Sequence, residues 1–490
     1  MMKPSRRQVL AAFSARAAAP ARAADPKPSS SPNGVKPAPM RTARQRDDRG
    51  KPVLVFRRSI AVRHKVDVFI AGGGPAGVAA ALAARSQGAS VFLAENHTCF
   101  GGCGTASRLP VFMTVSDGVN FLPGGVGARI LDRLSRDGMK MPSRLAIHAE
   151  SLKRVYDEMM TESGAAFTFQ TRLIGVESKG RRVTHAVCAA KSGVFAVEAA
   201  NFVDATGDGD LAAWAGARYE LGDDNGQLMP GTLCSLWLGV DWPTVAANRV
   251  KEPQPDRVFL EKAFADGVFT YLDEHLTGMY NHGHTMGAGN IGHTFGVNGV
   301  DEESVTQALM WGRKSLGEYR RYYRTYLKGY EQMELIASGE TLGVRETRRI
   351  TGDYQLVLED FKRRAVFEDE IGRYNYFVDL HPIQPGAAGY QKHVEERDRT
   401  LRLGKGESYG IPYRTLVPVG LDNVLVAGRC ISADRWVFGS VRVQPGCFIT
   451  GQAAGVAAAM ASTAKSTTRA VDVKQLQQRL KAIGGFLPNA

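Results

Sequence analysis

Apolar runs alternate with glycine turns near both ends of the chain, and the middle has a different texture. Val66-Asp67-Val68-Phe69-Ile70-Ala71 is an apolar run that stops at Gly72-Gly73-Gly74-Pro75-Ala76-Gly77. An Ala-rich segment follows, then Val91-Phe92-Leu93-Ala94 and Glu95. This pattern predicts strand, turn, helix and strand. Residues 124–138 read as a helix and its end, with Ile130, Leu131 and Leu134 at helical spacing. Ser151 to Met160 reads as another helix, with Leu152, Val155, Tyr156 and Met159 on one stripe. Residues 166–203 alternate apolar and polar around Gly180 and Gly193, which predicts a strand, a hairpin and a last strand ending at Asp204. That strand runs into Ala205-Thr206-Gly207-Asp208-Gly209-Asp210, a second glycine turn, and a helical run from Leu211 to Ala217. A third strand and turn, Val424-Leu425-Val426-Ala427-Gly428-Arg429, comes late. After it, Gln444-Pro445-Gly446-Cys447 leads into a small-residue helix holding Gly451 and Gly455, a spacing that allows close approach.

Residues 218–405 are rich in Trp, Tyr and His, with amphipathic helices and few glycine turns. Residues 303–337 read as a long helix or helix pair, with Leu309, Leu316, Tyr319, Tyr323, Leu327 and Leu335 as its apolar positions. Within it, Arg320-Arg321-Tyr322-Tyr323-Arg324 reads as a solvated face with tyrosines packing inward rather than a nucleic-acid contact.

Gly72, Gly74 and Gly77 have the spacing G-x-G-x-x-G. The first permits a tight turn, the second lets a pyrophosphate approach the backbone, and the third lets the helix pack on the strand. The helix N-terminus then offers free N–H groups and a positive dipole end. Glu95, at the end of the next strand, stands where an acid binds ribose hydroxyls. Together these features indicate a dinucleotide site. Two further strand–turn sites suggest other walls of the same cleft.

Composition changes the picture in two places. The net charge of +13 is confined to residues 1–65, which carry 16 Lys and Arg against three Asp and Glu; residues 66–490 carry 46 of each. The body is neutral, so nucleic-acid binding loses its main support. Ser5-Arg6-Arg7-Gln8-Val9-Leu10 resembles the twin-arginine export motif, and Ala21-Arg22-Ala23 has the form of a cleavage site. Residues 1–24 therefore read as an export signal, with a disordered basic tail as the alternative. The apolar part is short and interrupted by Arg16, which excludes a membrane span there. Residues 25–60 read as a disordered linker. None of the six cysteines shows zinc-ligand spacing.

Five blocks carry a family resemblance. They are the turn Gly72–Gly77, Gly101-Gly102 with Thr105, Val203–Asp210, Leu342-Gly343-Val344-Arg345-Glu346-Thr347-Arg348-Arg349-Ile350, and Ile411-Pro412-Tyr413-Arg414 through Gly428-Arg429 to Gly455. The chain resembles FAD-dependent oxidoreductases of the fumarate-reductase-like, glutathione-reductase-fold group, and most of all a bacterial subgroup sometimes labelled xanthan lyase. The resemblance implies an α/β fold. A discontinuous Rossmann-like FAD-binding domain (61–217 and 406–465) would carry an inserted α+β substrate domain (218–405), with a C-terminal tail helix in 466–490. It implies FAD, with Gly72, Gly74, Pro75, Ala76 and Gly77 at the pyrophosphate and Glu95 at the ribose. Gly101, Gly102 and Thr105 would lie beside the isoalloxazine. Thr206, Gly207 and Asp208 would line the adenosine half, and Gly428, Arg429 and Ser432 the ribityl chain. Gly451 belongs to the helix expected to approach the ring. Relatives commonly have a Thr-His pair where this chain has Asp434-Arg435, so that histidine's role does not transfer.

His381, in Asp379-Leu380-His381-Pro382, is the candidate base, because histidine titrates near neutrality and Asp379 could orient it. A packed turn histidine is the alternative. Arg345, Arg348 and Arg349 are the next candidates, one or two of which could bind a carboxylate bidentately. Read as a strand, Arg345 and Arg349 share a face and Arg348 points the other way, with salt bridges to Glu346 or Asp353 as the alternative. His282, His284 and His293 lie in a Gly-rich loop that has no metal-site spacing and could flank a substrate channel. The expected function is an exported (periplasmic or secreted) FAD-dependent dehydrogenase. It would take a hydride from a polar organic substrate, such as a sugar or hydroxy acid, and pass electrons to an acceptor of undetermined kind. The rivals are reduction of an activated C=C bond with an arginine as proton donor, Arg435 and Arg442 being available, and a flavin-bearing electron-transfer partner.

Overall fold

The basic, proline-rich stretch before residue 60 contains a Val-Leu-Val-Phe run that favours strand. β1 (Arg41–Arg46) pairs antiparallel with β2 (Pro52–Arg57), so this part is a hairpin where average composition pointed to a linker. The computed structural model describes residues 41–46, 50–136, 145–251, 255–274, 278–397 and 402–490. The expected export signal and most of the expected linker lie outside these residues. The hairpin falls in a unit covering Met1–Ile60, and a second unit covers Ala61–Ala490.

In the second unit the first glycine turn joins β3 (Ala61–Ala71) to α1 (Pro75–Ser86), which leads to β4 (Val91–Ala94). α2 (Val126–Arg136) and α3 (Ala149–Ser163) follow, with the expected apolar stripes buried. Then come β5 (Ala166–Thr168), β6 (Arg172–Lys179), β7 (Arg182–Ala190), β8 (Gly193–Asp204) and α4 (Asp210–Trp214). Among the described residues, seven strands form the main sheet, in the order β5-β4-β3-β8-β7-β6, with β17 (Val424–Val426) also paired to β8. β5, β4, β3, β8 and β17 are parallel neighbours, and β6–β7–β8 is antiparallel. β4 and the last four residues of β3 are wholly buried, as parallel strands covered on both faces must be. This is an α/β fold of the doubly wound kind, and the parallel strands end at one edge where all three glycine turns gather.

The middle region begins with β9 (Tyr219–Leu221), β10 (Ser235–Leu238), α5 (Trp242–Lys251), α6 (Pro255–Ala265), β11 (Met279–Gly283), β12 (Met286–Gly289), α7 (Glu302–Tyr326) and β13 (Glu334–Ser338). A second apolar core, separate from the main one, uses residues between Leu233 and Leu342 and is centred on Trp237, Tyr319, Tyr322 and Tyr323. The rest of the middle region contributes to the main core, including Ile350, Phe361, Ile371 and Tyr374. Core membership therefore changes near residue 342, well before the change of texture at 405. Leu335 is not on a long helix: α7 ends at Tyr326, Gly329 turns with φ +87°, and β13 pairs with β10. The tyrosines of α7 pack inward as expected, while Arg320 and Arg324 pair with Glu334 at the surface.

The chain continues through β14 (Arg348–Ile350), α8 (Leu358–Lys362), β15 (Glu370–Tyr374), α9 (Ala387–Arg397), β16 (Tyr409–Pro412) and α10 (Arg435–Val441) to α11 (Gln444–Ala464) and α12 (Val473–Ala482). α11 is long and apolar enough to cross a bilayer, but 83% of its apolar stretch is buried inside the protein, where it serves as a core helix. A Cβ at Gly455 would lie 2.1 Å from Ala80 O, so α11 and α1 touch through backbone.

Candidate active site

The glycine turns build one wall of a cavity of about 840 Å³, a size suited to a cofactor and a small substrate. Gly72 has φ +90°, and a Cβ there would sit 2.6 Å from Ala205 O, so the first and second turns interlock. A Cβ at Gly77 would come within 1.9 Å of Gly72 O, which makes Gly77 the packing glycine of the motif. Gly74 differs: a Cβ there would meet nothing within 4 Å, because Gly74 faces open space on the cavity wall. It is also the N-cap of α1, with no side chain capping the helix, so the first N–H groups remain available for an anion. Glu95 lines the cavity with its carboxylate fixed by Gly73 N–H at 2.5 Å and His97 N–H at 2.6 Å.

The second turn is held by Asp204, which accepts from Thr206 N–H (3.1 Å), Thr206 Oγ1 (2.7 Å) and Ala212 N–H (2.9 Å). Burial nevertheless pushes its pKa up to about 6. Thr206, Gly207 and Asp208 then line the cavity. Asp208 Oδ1 accepts from Arg429 Nη2 at 2.7 Å and from Thr347 Oγ1 at 2.8 Å, tying the second turn to the third. Gly428 and Arg429 are on the wall beside them.

α11 starts at this wall. Gln444 is 2% exposed and lines the cavity, yet among the described residues neither of its amide atoms has a hydrogen-bond partner. An orphaned buried amide at an uncapped helix start fits a ligand with both donors and acceptors on one edge. Together with the open Gly74 cradle and Glu95, it makes the residues present a fit for a flavin dinucleotide.

The opposite wall carries the reactive side chains. Arg345 is buried, and its Nη1 donates to Pro230 O (2.8 Å) and Thr232 Oγ1 (2.9 Å). Burial first, then the charge of Arg442, pulls its pKa down to about 10. His381 lines the same cavity, with Nε2 3.5 Å from Asp379 Oδ1 and Nδ1 2.9 Å from His293 Nε2. Arg442 Nη2 donates to Asp379 O at 3.1 Å. Tyr280, Tyr376 and Cys103 also line this cavity.

Other expected site residues lie off this wall. Arg348 is held by Asp210 (2.7 Å) and Asp208 O (3.1 Å), and its guanidinium sits over Tyr219. Arg349 is buried against Glu346 and Gly222 O. β14 covers only Arg348–Ile350, so Arg345 is outside the strand and reaches the cavity independently. Gly101 and Thr105 shape the loop behind Gly102: Gly101 has φ +101°, and Thr105 Oγ1 donates to Phe100 O at 2.5 Å. Ser432 is buried with its N–H on Thr415 O, and Gly451 packs on Ala76. His282 points at Pro110 O, away from the cavity wall. Gln444, Tyr280 and Tyr376 carry no spacing signal that would have marked them.

Residues 67–480 match the family described as FAD dependent oxidoreductase. No curated protein matches the chain in sequence. Solved structures similar to it include a geranylgeranyl bacteriochlorophyll reductase-like protein from Thermoplasma acidophilum, at 14% identity, 86% of this chain, 83% of that chain and TM-score 0.43. A flavin-dependent brominase triple mutant matches at 12% identity, 85% and 84% coverage and TM-score 0.42. The myxobacterial chondrochloren halogenase matches at 12% identity, 86% and 79% coverage and TM-score 0.40. With the glycine cradle, Glu95 and the orphaned Gln444 all on one cavity, the family match identifies the chain as an enzyme of the FAD-dependent oxidoreductase family, with FAD as its cofactor.

Proposed function

We propose that this enzyme is a dehydrogenase of a polar organic substrate such as a sugar or hydroxy acid, with His381 as base and Arg345 as substrate anchor. The observation that carries this reading is that His381, Arg345 and the glycine cradle share one cavity. Gly72, Gly74, Pro75 and Ala76 would hold the pyrophosphate of FAD, Glu95 a ribose, and Gln444 a polar ring edge. When bound, FAD supplies a two-electron acceptor. Arg345, fixed by Pro230 O and Thr232, presents a rigid cation to an anionic or hydroxylated group. His381 accepts the substrate proton at the ring nitrogen facing the cavity, and Asp379 and Arg442 fix the wall beside it. The tyrosines at 280 and 376 limit the space for water.

The depressed pKa of Arg345 favours a second reading, reduction of an activated C=C bond with Arg345 delivering the proton. The motif blocks at 342–350 and 411–455 support placement in the fumarate-reductase-like subgroup under either direction. The twin-arginine pattern supports export as a folded, cofactor-loaded protein.

The test begins with the absorbance spectrum of purified enzyme before and after acid precipitation. Yellow supernatant means dissociable FAD; yellow pellet means a covalent flavin, with Cys103 the first residue to replace. Anaerobic bleaching by hydroxy acids or sugars supports dehydrogenation. Reoxidation of dithionite-reduced enzyme by unsaturated acids, without bleaching by the first set, replaces it with reduction.

A further inference from the structure

Asp273, His293 and His381 form one buried line that crosses from the cavity wall into the second core. They are 8%, 3% and 3% exposed. His293 Nδ1 lies 3.1 Å from each carboxylate oxygen of Asp273, and His293 Nε2 lies 2.9 Å from His381 Nδ1. The line is clamped: Trp311 Nε1 donates to His293 O at 3.1 Å, and Phe295 stands edge-on to the His293 ring. Only His381 reaches the large cavity; Asp273 and His293 line a small aromatic pocket behind it.

The tautomers follow from this geometry. A carboxylate against Nδ1 requires a proton there, so neutral His293 is the Nδ1–H form and its Nε2 is a lone pair. That lone pair must accept from His381, so His381 carries Nδ1–H and keeps its own lone pair on Nε2. The reverse order would aim a His293 lone pair at Asp273. Asp379 pulls the other way on His381 Nε2, but from 3.5 Å against two contacts of 3.1 Å at His293.

We propose that Asp273 and His293 are positioning residues that hold His381 with its basic nitrogen, Nε2, toward the substrate. The inference rests on His381 as the base. The substrate O–H proton binds Nε2 while Nδ1–H stays, and FAD, when bound, would supply the acceptor for the two electrons and the C–H hydrogen. The resulting imidazolium is bracketed by Asp379 on one side and by Asp273, through His293, on the other. Arg345, Arg442, Tyr280 and Tyr376 line the cavity together with His381, and Glu318 and Tyr319 of α7 share the small pocket with His293.

The experiment is ¹⁵N-histidine NMR on the full-length, FAD-loaded enzyme, titrated with pH alone, using His381→Gln and His293→Gln to assign signals. The expected result is a neutral His381 protonated at Nδ1 and bare at Nε2. In Asp273→Ala the signal shifts toward the Nε2–H form. In Asp273→Asn, which keeps an acceptor but loses the charge, the tautomer persists and the pKa of His381 falls. A wild-type His381 protonated at Nε2 overturns the inference, as does an unchanged pKa in Asp273→Asn; the second holds even if Asp273→Ala does not fold. Failure of the base reading is separate: His381→Gln would bleach as fast as wild type while the tautomer stood as inferred.

Discussion

The backbone of Ala76 and that of Gly451 touch, and a Cβ at Gly451 would lie 2.2 Å from Ala76 O. This contact presses the first turn of α1, which lines the cofactor wall, onto α11. Gly451→Ala must push the two helices apart. The expected cost is about 1–3 kcal/mol, read as a lower denaturation midpoint at unchanged slope, together with faster loss of FAD. Gly317→Ala is the control, since its Cβ would meet nothing within 4 Å on the exposed side of α7. It should stabilise by about 0.5–1 kcal/mol. Equal stability of the two variants would show that the α1–α11 contact yields freely.

Gly74→Ala separates a cofactor cradle from a structural turn. Its φ of −66° is open to any residue, and the new Cβ has no protein neighbour. The flavin-free variant should therefore unfold within about 0.5 kcal/mol of wild type. FAD affinity, measured by titration of the stripped protein, should fall at least about tenfold, because the methyl group occupies the pyrophosphate approach. Unchanged affinity would place the dinucleotide elsewhere.

The parts of this site that could be read along the chain are those fixed by local geometry. Gly72 and Gly77 must be glycine because one tight turn and one helix–strand contact occur within six residues, while Gly74 between them lies open on the cavity wall. Gly451 and Gly455 are legible for the same reason, one helical turn apart. The hidden parts are set by tertiary structure. His293 and His381 are 88 residues apart and meet only because the second core carries one to the other. Arg348 and Arg345 are indistinguishable as residue types; the pairing of β14 with β9 hands Arg348 to Asp210, while Arg345 stays free of the strand. Leu335 fits a helical period, yet the turn at Gly329 comes first.

Cys103 offers a chemical reading of the same wall. It is half-buried on the cavity, and burial pushes its thiol pKa up, as it does to about 12 for Cys234 and Cys447 nearby. Iodoacetamide should label Cys103 ahead of the more buried cysteines in stripped protein. Labelling should be slow at pH 7 and faster at higher pH as thiolate appears. Reloading with FAD should slow it at least about tenfold. Peptide mass spectrometry reads the site, and equal labelling with and without flavin would remove Cys103 from the cofactor wall.

His282 couples stability to pH. It is buried, makes a 3.0 Å hydrogen bond to Pro110 O, and has its pKa pulled down to about 4, mainly by burial, from 6.5 in the unfolded chain. The folded state holds the neutral ring, so between these values the unfolded chain binds more protons. Its contribution to stability is full above pH 6.5 and is lost as pH falls through about 4. The difference amounts to about 3 kcal/mol. His282→Gln keeps a side-chain N–H for Pro110 O but cannot take up a proton. Denaturation from pH 7 to 4.5 should therefore show a shallower loss of stability in the variant. Parallel curves would mean that the ring is protonated as easily in the fold as in the open chain, the hydrogen bond to Pro110 O, which favours the protonated ring, offsetting its burial.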